Sequence, residues 1–204
     1  MKKLLCMAAI ALFVAGCSGS GKTDDSSKND SACSTSCACN DTASEPNAVE
    51  SAQSAYEKAN GQFKKEKYKE AIASAETALE LAANYDDARE LIGLAYFRLG
   101  EWQKSQGAFD AITETAPDEQ KYRTRAWTAQ CMFRLNNFEG TLDVLDELAG
   151  HEALDHIGHN LRGYALIELG RNDEAIKALE LAIALAPEGD AKKNYETALK
   201  QIQK

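Results

Sequence analysis

Gly93-Leu94-Ala95-Tyr96-Phe97-Arg98-Leu99-Gly100, followed by Trp102, Ser105, Phe109, Ile112 and Pro117, returns later in the chain. It reappears as Gly163-Tyr164-Ala165-Leu166-Ile167-Glu168-Leu169-Gly170, followed by Asn172, Ala175, Leu179, Ala182 and Pro187. Two looser copies complete the set. Ala59-Asn60-Gly61-Gln62-Phe63-Lys64 leads to Tyr68, Ala71-Ile72, Ala75 and Ala78-Leu79; Ala129-Gln130-Cys131-Met132-Phe133-Arg134-Leu135 leads to Phe138, Thr141, Leu145 and Leu148. Aligning Ala71, Ser105, Thr141 and Ala175 gives separations of 34, 36 and 34 residues. Self-similarity at such a period is the mark of a repeat architecture.

Each copy reads as two helices joined by a short turn. Small residues at Ala59, Gly93, Ala129 and Gly163 let the two helices approach closely, and large apolar residues recur on the same stripes at helical spacing. Gly100 and Gly170 suit a left-handed helix end, where other residues meet a Cβ clash. One such pair cannot bury its apolar face alone, so successive pairs must stack around a shared core. Composition agrees: residues 51–204 hold only two prolines, Pro117 and Pro187, and are rich in the helix formers Ala, Leu, Glu and Lys. Asp190 to Gln203 reads as one further helix, with Tyr195, Leu199 and Ile202 set to cover the last pair.

The pattern resembles the tetratricopeptide repeat (TPR), which places small residues on two facing helices, an aromatic at the turn and a proline at the end. The resemblance covers about residues 52–188. It implies an all-α, right-handed α-solenoid of about four helix pairs plus a C-terminal capping helix, and a protein that binds other proteins rather than catalysing a reaction. The copies depart from the pattern at named places. Ala83 stands for the terminal Pro of the first; Asn136 and Ala153 stand for the turn Gly and the Pro of the third; Asn172 stands for the turn aromatic of the fourth.

In this family the first helix of each repeat lines the concave surface. Carried onto this chain, the contact positions are Tyr56, Asn60 and Phe63; Glu90, Leu94, Phe97 and Arg98; Ala126, Gln130, Phe133 and Arg134; and Asn160, Tyr164, Ile167 and Glu168. The resemblance implies that the aromatic and aliphatic members supply buried contact, while Asn60, Arg98, Gln130 and Arg134 orient peptide backbone or acid groups. The family's clamp for acidic C-terminal tails needs a Lys one turn before Asn60. Tyr56 stands there, so capture of a terminal carboxylate is not expected.

The N-terminus reads as a targeting segment. Lys2 and Lys3 precede the apolar run Leu4 to Val14, too short to span a bilayer but suited to a signal-peptide core. Val14-Ala15-Gly16-Cys17 resembles the bacterial lipobox, which implies cleavage before Cys17 and lipidation of its thiol. Several acyl chains would anchor the protein stably. By the same resemblance, Ser18 in place of an inner-membrane-retaining Asp points to the outer membrane, facing the periplasm. The expected organisation is therefore a signal peptide at 1–16, a lipidated cysteine and linker at 17–48, and the repeat domain with its cap at 49–204. Residues 16–23 also spell G-x-x-x-x-G-K-S/T, but with no strand before the pattern and no helix opening after it the match is a coincidence of a Gly/Ser linker.

The linker is rich in Ser, Asp, Gly, Asn and Thr and lacks large apolar side chains, too little to offset the entropy of ordering it. It carries Cys33, Cys37 and Cys39, whose short spacing could serve a metal or a disulfide. His151, His156 and His159 fall close together with Glu152 and Asp155, a second metal-capable grouping. These two clusters define the alternative reading, a metal- or redox-active envelope protein. Cys131 instead reads as a small buried apolar residue.

The chain carries a net charge of −9, and loss of residues 1–16 would remove two lysines and no acid. Nucleic acid and anionic headgroups are thus poor partners. No nucleophile–base pair, apolar carboxylate pair or cofactor fingerprint is present, so neither an enzyme nor a cofactor is expected. TPR lipoproteins of similar layout assist β-barrel assembly, secretin placement or control of peptidoglycan enzymes, an analogy of fold that does not choose among them.

Overall fold

The computed structural model of the protein describes residues 48–112, 114–151 and 154–203. Cys17, Cys33, Cys37 and Cys39 lie outside them. Among the described residues there are nine α-helices and no strand. Eight form four successive pairs: α1 (Ala48–Lys64) with α2 (Tyr68–Leu81), α3 (Asp86–Leu99) with α4 (Trp102–Asp110), α5 (Asp118–Arg134) with α6 (Phe138–Glu147), and α7 (His156–Glu168) with α8 (Asn172–Leu185). The ninth, α9 (Asp190–Ile202), follows. Each helix packs chiefly on its neighbours in the chain, while α1 also meets α3 and α5 meets α7. Contacts restricted to near neighbours are what a solenoid requires, and the all-α repeat fold read from the sequence is the fold observed.

The same few atoms enforce each pair. Ala71, Ser105, Thr141 and Ala175 are fully buried. Ser105 Oγ donates back across its pair to the Gly93 carbonyl at 2.8 Å, whereas Thr141 Oγ1 donates to the Asn137 carbonyl at 2.8 Å and only approaches the Ala129 carbonyl across the pair, at 3.5 Å. A Cβ on Gly93 would lie 2.5 Å from the Phe109 ring, and one on Gly163 2.8 Å from Leu179. In these two pairs the opposite side chain leaves no room for a methyl, although in the third pair Ala129 keeps its methyl beside Leu145. Ala59 faces a smaller core with Ala75 and keeps its methyl.

The turns are equally uniform. Gly100 and Gly170 sit at φ 76° and 73°, and Glu66 and Asn136 take the same left-handed conformation at φ 60°. In every copy the next amide bonds to the carbonyl five residues back: Lys67 to Gln62 (3.0 Å), Glu101 to Tyr96 (3.0 Å), Asn137 to Met132 (2.9 Å) and Arg171 to Leu166 (2.8 Å). This closure satisfies a carbonyl that the helix end leaves open. The first and third copies thus make the glycine turn without glycine. The strain is about 1 kcal/mol for Glu66 and smaller for Asn136, whose side chain tolerates this region.

An aromatic contact braces three of the four turns. Phe63 meets Tyr68, Phe97 meets Trp102 and Phe133 meets Phe138, all edge-to-face, with centroids 5.3, 4.9 and 5.4 Å apart. The fourth turn, with Ile167 and Asn172, has no such ring pair. Trp127 of α5 then bridges two repeats, lying 5.1 Å from Phe97 and 6.4 Å from Phe109. Beneath it Cys131 is fully buried, as the sequence implied; its S–H donates to Ser105 Oγ at 3.2 Å, and burial pushes the thiol pKa up. At the end of the stack, Tyr195 and Ala198 of α9 are buried, Tyr195 against Ala182 and Ala186, and Ile202 packs on the Ala165 cluster. Apolar surface that the fourth pair would otherwise expose is thereby covered.

Candidate functional site

The first helices α1, α3, α5 and α7 carry the contact positions inferred from the repeat, and the structure sorts them into three kinds. The phenylalanines are largely committed to the turns. Phe97 is 8% exposed, held between Trp102 and Trp127, and offers a partner almost nothing. Phe63 and Phe133, half-buried, brace their own turns and keep only part of their surface free. Tyr56 leans edge-to-face on Tyr85 at 5.4 Å, and Ile167 packs against the Ala165 and Leu166 cluster. Burial beside Asp87 and Tyr85 pushes the Tyr56 hydroxyl pKa up, so the ring stays neutral at physiological pH.

A second kind ties repeat to repeat. Glu90 was expected on the exposed groove, but it is 9% exposed and ion-paired. Arg123 donates to it through Nε and one terminal nitrogen, each at 2.7 Å, and Gln120 Nε2 donates at 3.0 Å while also reaching Asp87 at 3.1 Å. A carboxylate left there without Arg123 would be costly, and the bidentate fork holds α5 in register on α3. The hydrogen bond to Glu90 raises the Arg123 pKa further above its ordinary value. The sequence named Glu90 but not Arg123 or Gln120; the signal available was an acid on one first helix and, one turn before its register on the next, a base.

The third kind remains available. Asn60, Leu94 and Gln130 are half-buried on α1, α3 and α5, and one turn further on Lys64, Arg98 and Arg134 are exposed. Arg134 rests over the Trp102 ring at 5.6 Å. On α7, Tyr164 is half-buried, Glu168 is exposed, and Asn160 is buried with its Oδ1 lacking a partner among the described residues. The face thus presents amides, one leucine, cations and partial aromatic edges. It can take an extended segment by backbone hydrogen bonds and side-chain contacts, and nothing on it is arranged to activate a nucleophile.

His151 and His159 line one cleft, while His156 turns to the capping helix. His151 stacks on Tyr122, His156 Nδ1 shares a 3.0 Å hydrogen bond with Tyr195 Oη, and His159 lines a cleft of about 560 Å³ with Leu154, Arg162 and Leu181. Burial and the neighbouring Arg162 hold the His159 imidazole below its ordinary pKa. Among the described residues no three His, Cys, Asp or Glu side chains converge in a metal-binding group, and no helix is long and apolar enough to cross a membrane.

Comparison with known proteins agrees with this geometry. Models of the tetratricopeptide repeat match residues 62–126 and 156–188. Among solved structures, a double mutant of MamA RS-1 is 18% identical with a TM-score of 0.67, over 74% of this chain and 83% of its own. MamA 41-end from Desulfovibrio magneticus RS-1 is 16% identical with a TM-score of 0.63, over 74% and 93%. YrrB, described as a TPR protein with an unusual peptide-binding site, is 18% identical with a TM-score of 0.57, over 74% and 78%. At such identities the likeness is one of fold. No curated protein matches the sequence.

Proposed function

We propose that these tetratricopeptide repeats form the protein-binding scaffold of a lipid-anchored envelope protein, held through Cys17 to the outer membrane and facing the periplasm. The observation that carries the binding reading is the row Asn60, Leu94 and Gln130, left accessible on three consecutive first helices. Elsewhere on the same face Phe63, Phe97 and Phe133 are spent on turns and Glu90 on an inter-repeat tie. Groups that a fold leaves unspent at repeated positions are those a partner can use. The sequence Val14-Ala15-Gly16-Cys17 supports the anchor, and the polar linker after it would leave the repeats free to meet a partner away from the bilayer.

Photocrosslinking in the native cell tests the binding face. Probes at Leu94 and Gln130 are expected to give a discrete protein adduct, with Glu76 on α2 as the silent control. Adducts from Glu76 alone, or from no position, would discard this face. Membrane fractionation tests the anchor: Cys17→Ala is expected to move the protein from the outer-membrane fraction to the soluble or uncleaved pool. An unchanged outer-membrane fraction would overturn lipid anchoring.

A further inference from the structure

We infer that the segment bound on this face is acidic, with carboxylates spaced to meet Lys64, Arg98 and Arg134 in turn. The inference rests on the binding face proposed above and specifies its ligand. It begins with what the arginines do. Arg89, Arg123, Arg125, Arg162 and Arg171 each end on a carboxylate of this chain. The two remaining arginines of the sequence, Arg98 and Arg134, meet no carboxylate among the described residues, and they occupy the same position of adjacent repeats. Lys64 occupies that position one repeat earlier and is likewise exposed and without an ion pair among the described residues. A net-negative chain that neutralises its other guanidinium groups internally leaves its two unpaired arginines on one face, in register with Lys64, although exposed lysines such as Lys69 and Lys177 stand elsewhere without an ion pair among the described residues.

Helix polarity alone does not account for the line. A cation in the last turn of any helix is favoured by the exposed carbonyls there. That preference applies equally to α2, α4, α6 and α8, yet none of them has a basic residue in its last turn; apart from Lys200 of the capping helix, the last-turn cations are Lys64, Arg98 and Arg134 of α1, α3 and α5. The cations follow the binding face rather than the helix ends. In the fourth repeat Glu168 takes the position and reverses the sign, so the line stops there.

The chemistry of the site favours carboxylate. Arg134 lies over the Trp102 ring at 5.6 Å, a cation–π contact that holds the guanidinium group while leaving its N–H donors open to a bidentate acceptor. One turn before the cations, Asn60, Leu94 and Gln130 offer amide groups for a backbone and one apolar contact. The first helices of adjacent repeats are bridged by side chains such as Glu90 and Arg123 and lie one helix diameter, ~10–12 Å, apart, which an extended chain covers in about three residues at ~3.3–3.6 Å each. The ligand is therefore an internal stretch with an acid at roughly every third residue. This differs from capture of a terminal carboxylate, for which Tyr56 leaves the face unsuited. A long polyanion such as nucleic acid fits poorly, because Glu168 ends the line after three cations and the chain is net negative.

The test uses the whole protein and two fluorescent twelve-residue peptides, one with Glu at every third position and one with Gln in its place. Fluorescence anisotropy at low salt is expected to show at least tenfold tighter binding of the Glu peptide. That preference should shrink severalfold at high salt. Arg98→Glu/Arg134→Glu is expected to abolish it with helical circular dichroism unchanged, while Lys177→Glu on α8 leaves it within twofold. Equal binding of the two peptides, or a double charge reversal without effect, overturns the inference. So does a preference for single-stranded DNA or anionic vesicles over the Glu peptide. A native partner still crosslinked at Leu94 in the double-reversal variant would overturn the acidic ligand and leave the binding face standing. Loss of peptide selectivity together with crosslinks confined to Glu76 would discard the face itself.

Discussion

Repeats two and four and repeats one and three build the same backbone from different residues. Two and four carry glycine at the helix crossing (Gly93, Gly163) and at the left-handed turn (Gly100, Gly170). One and three carry Ala59 and Ala129 at the crossing, and Glu66 and Asn136 at the turn. The difference separates two demands that look alike in a sequence. At the crossing glycine answers to how close the opposite side chain comes: Phe109 and Leu179 leave no room for a methyl, Ala59 faces Ala75, and Ala129 packs its methyl against Leu145. At the turn it answers to the backbone alone, which takes the same φ in all four copies whatever the residue.

If that division holds, Gly93→Ala should have the largest effect. Its methyl would meet a buried ring, so a loss of about 2–3 kcal/mol is expected on overpacking grounds. Repeat-resolved hydrogen exchange is the appropriate readout, because a solenoid need not unfold as one unit. Protection in α3 and α4 should fall first; a variant as stable as wild type would mean that Phe109 can step aside and the crossing is not size-limited.

Gly100→Ala comes next. Only backbone strain is added, since a Cβ there meets nothing closer than Trp102 at 3.6 Å. The expected loss is about 1 kcal/mol, visible as a lower urea midpoint. No change would show that the turn relaxes out of the left-handed region.

The converse substitutions sharpen the comparison from the other side. Glu66→Gly should stabilise the first repeat by roughly 0.5–1 kcal/mol by relieving the same strain, and Asn136→Gly should gain less. A larger gain from Asn136→Gly than from Glu66→Gly would contradict the account of the turn.

The smallest effect concerns a residue special to repeat four. His159 binds a proton less readily in the folded chain than in the unfolded one, because burial and Arg162 disfavour its charged form. Its contribution is therefore intact above the unfolded pKa of about 6.5 and is lost as pH falls through that value toward the lower folded one. The stability difference between wild type and His159→Leu should widen to the mutant's advantage as pH falls below about 6.5. A difference independent of pH would remove the imidazole from the explanation.

Much of this architecture was legible in the residues. The small positions at a 34- to 36-residue period marked the helix crossings, and all of them proved buried. The turns of repeats one and three were harder to read, since Glu66 and Asn136 do not advertise positive φ. The binding face was legible only in register. Periodicity names the residues on the first helices, but Phe63, Phe97 and Phe133 look like ligand contacts until Tyr68, Trp102 and Phe138 are seen against them. Glu90 likewise looks exposed until Arg123 and Gln120 arrive from the next repeat, 33 and 30 residues away.

The sequence by itself determined that helices form, where they cross and how many pairs stack, because those outcomes follow from spacing, residue size and helix propensity within short stretches. Only the tertiary structure decided which side chains of the shared face are consumed and which are left over. That division depends on partners contributed by neighbouring repeats, and local periodicity carries no information about whether an arginine such as Arg123 finds its carboxylate while Arg98 finds none.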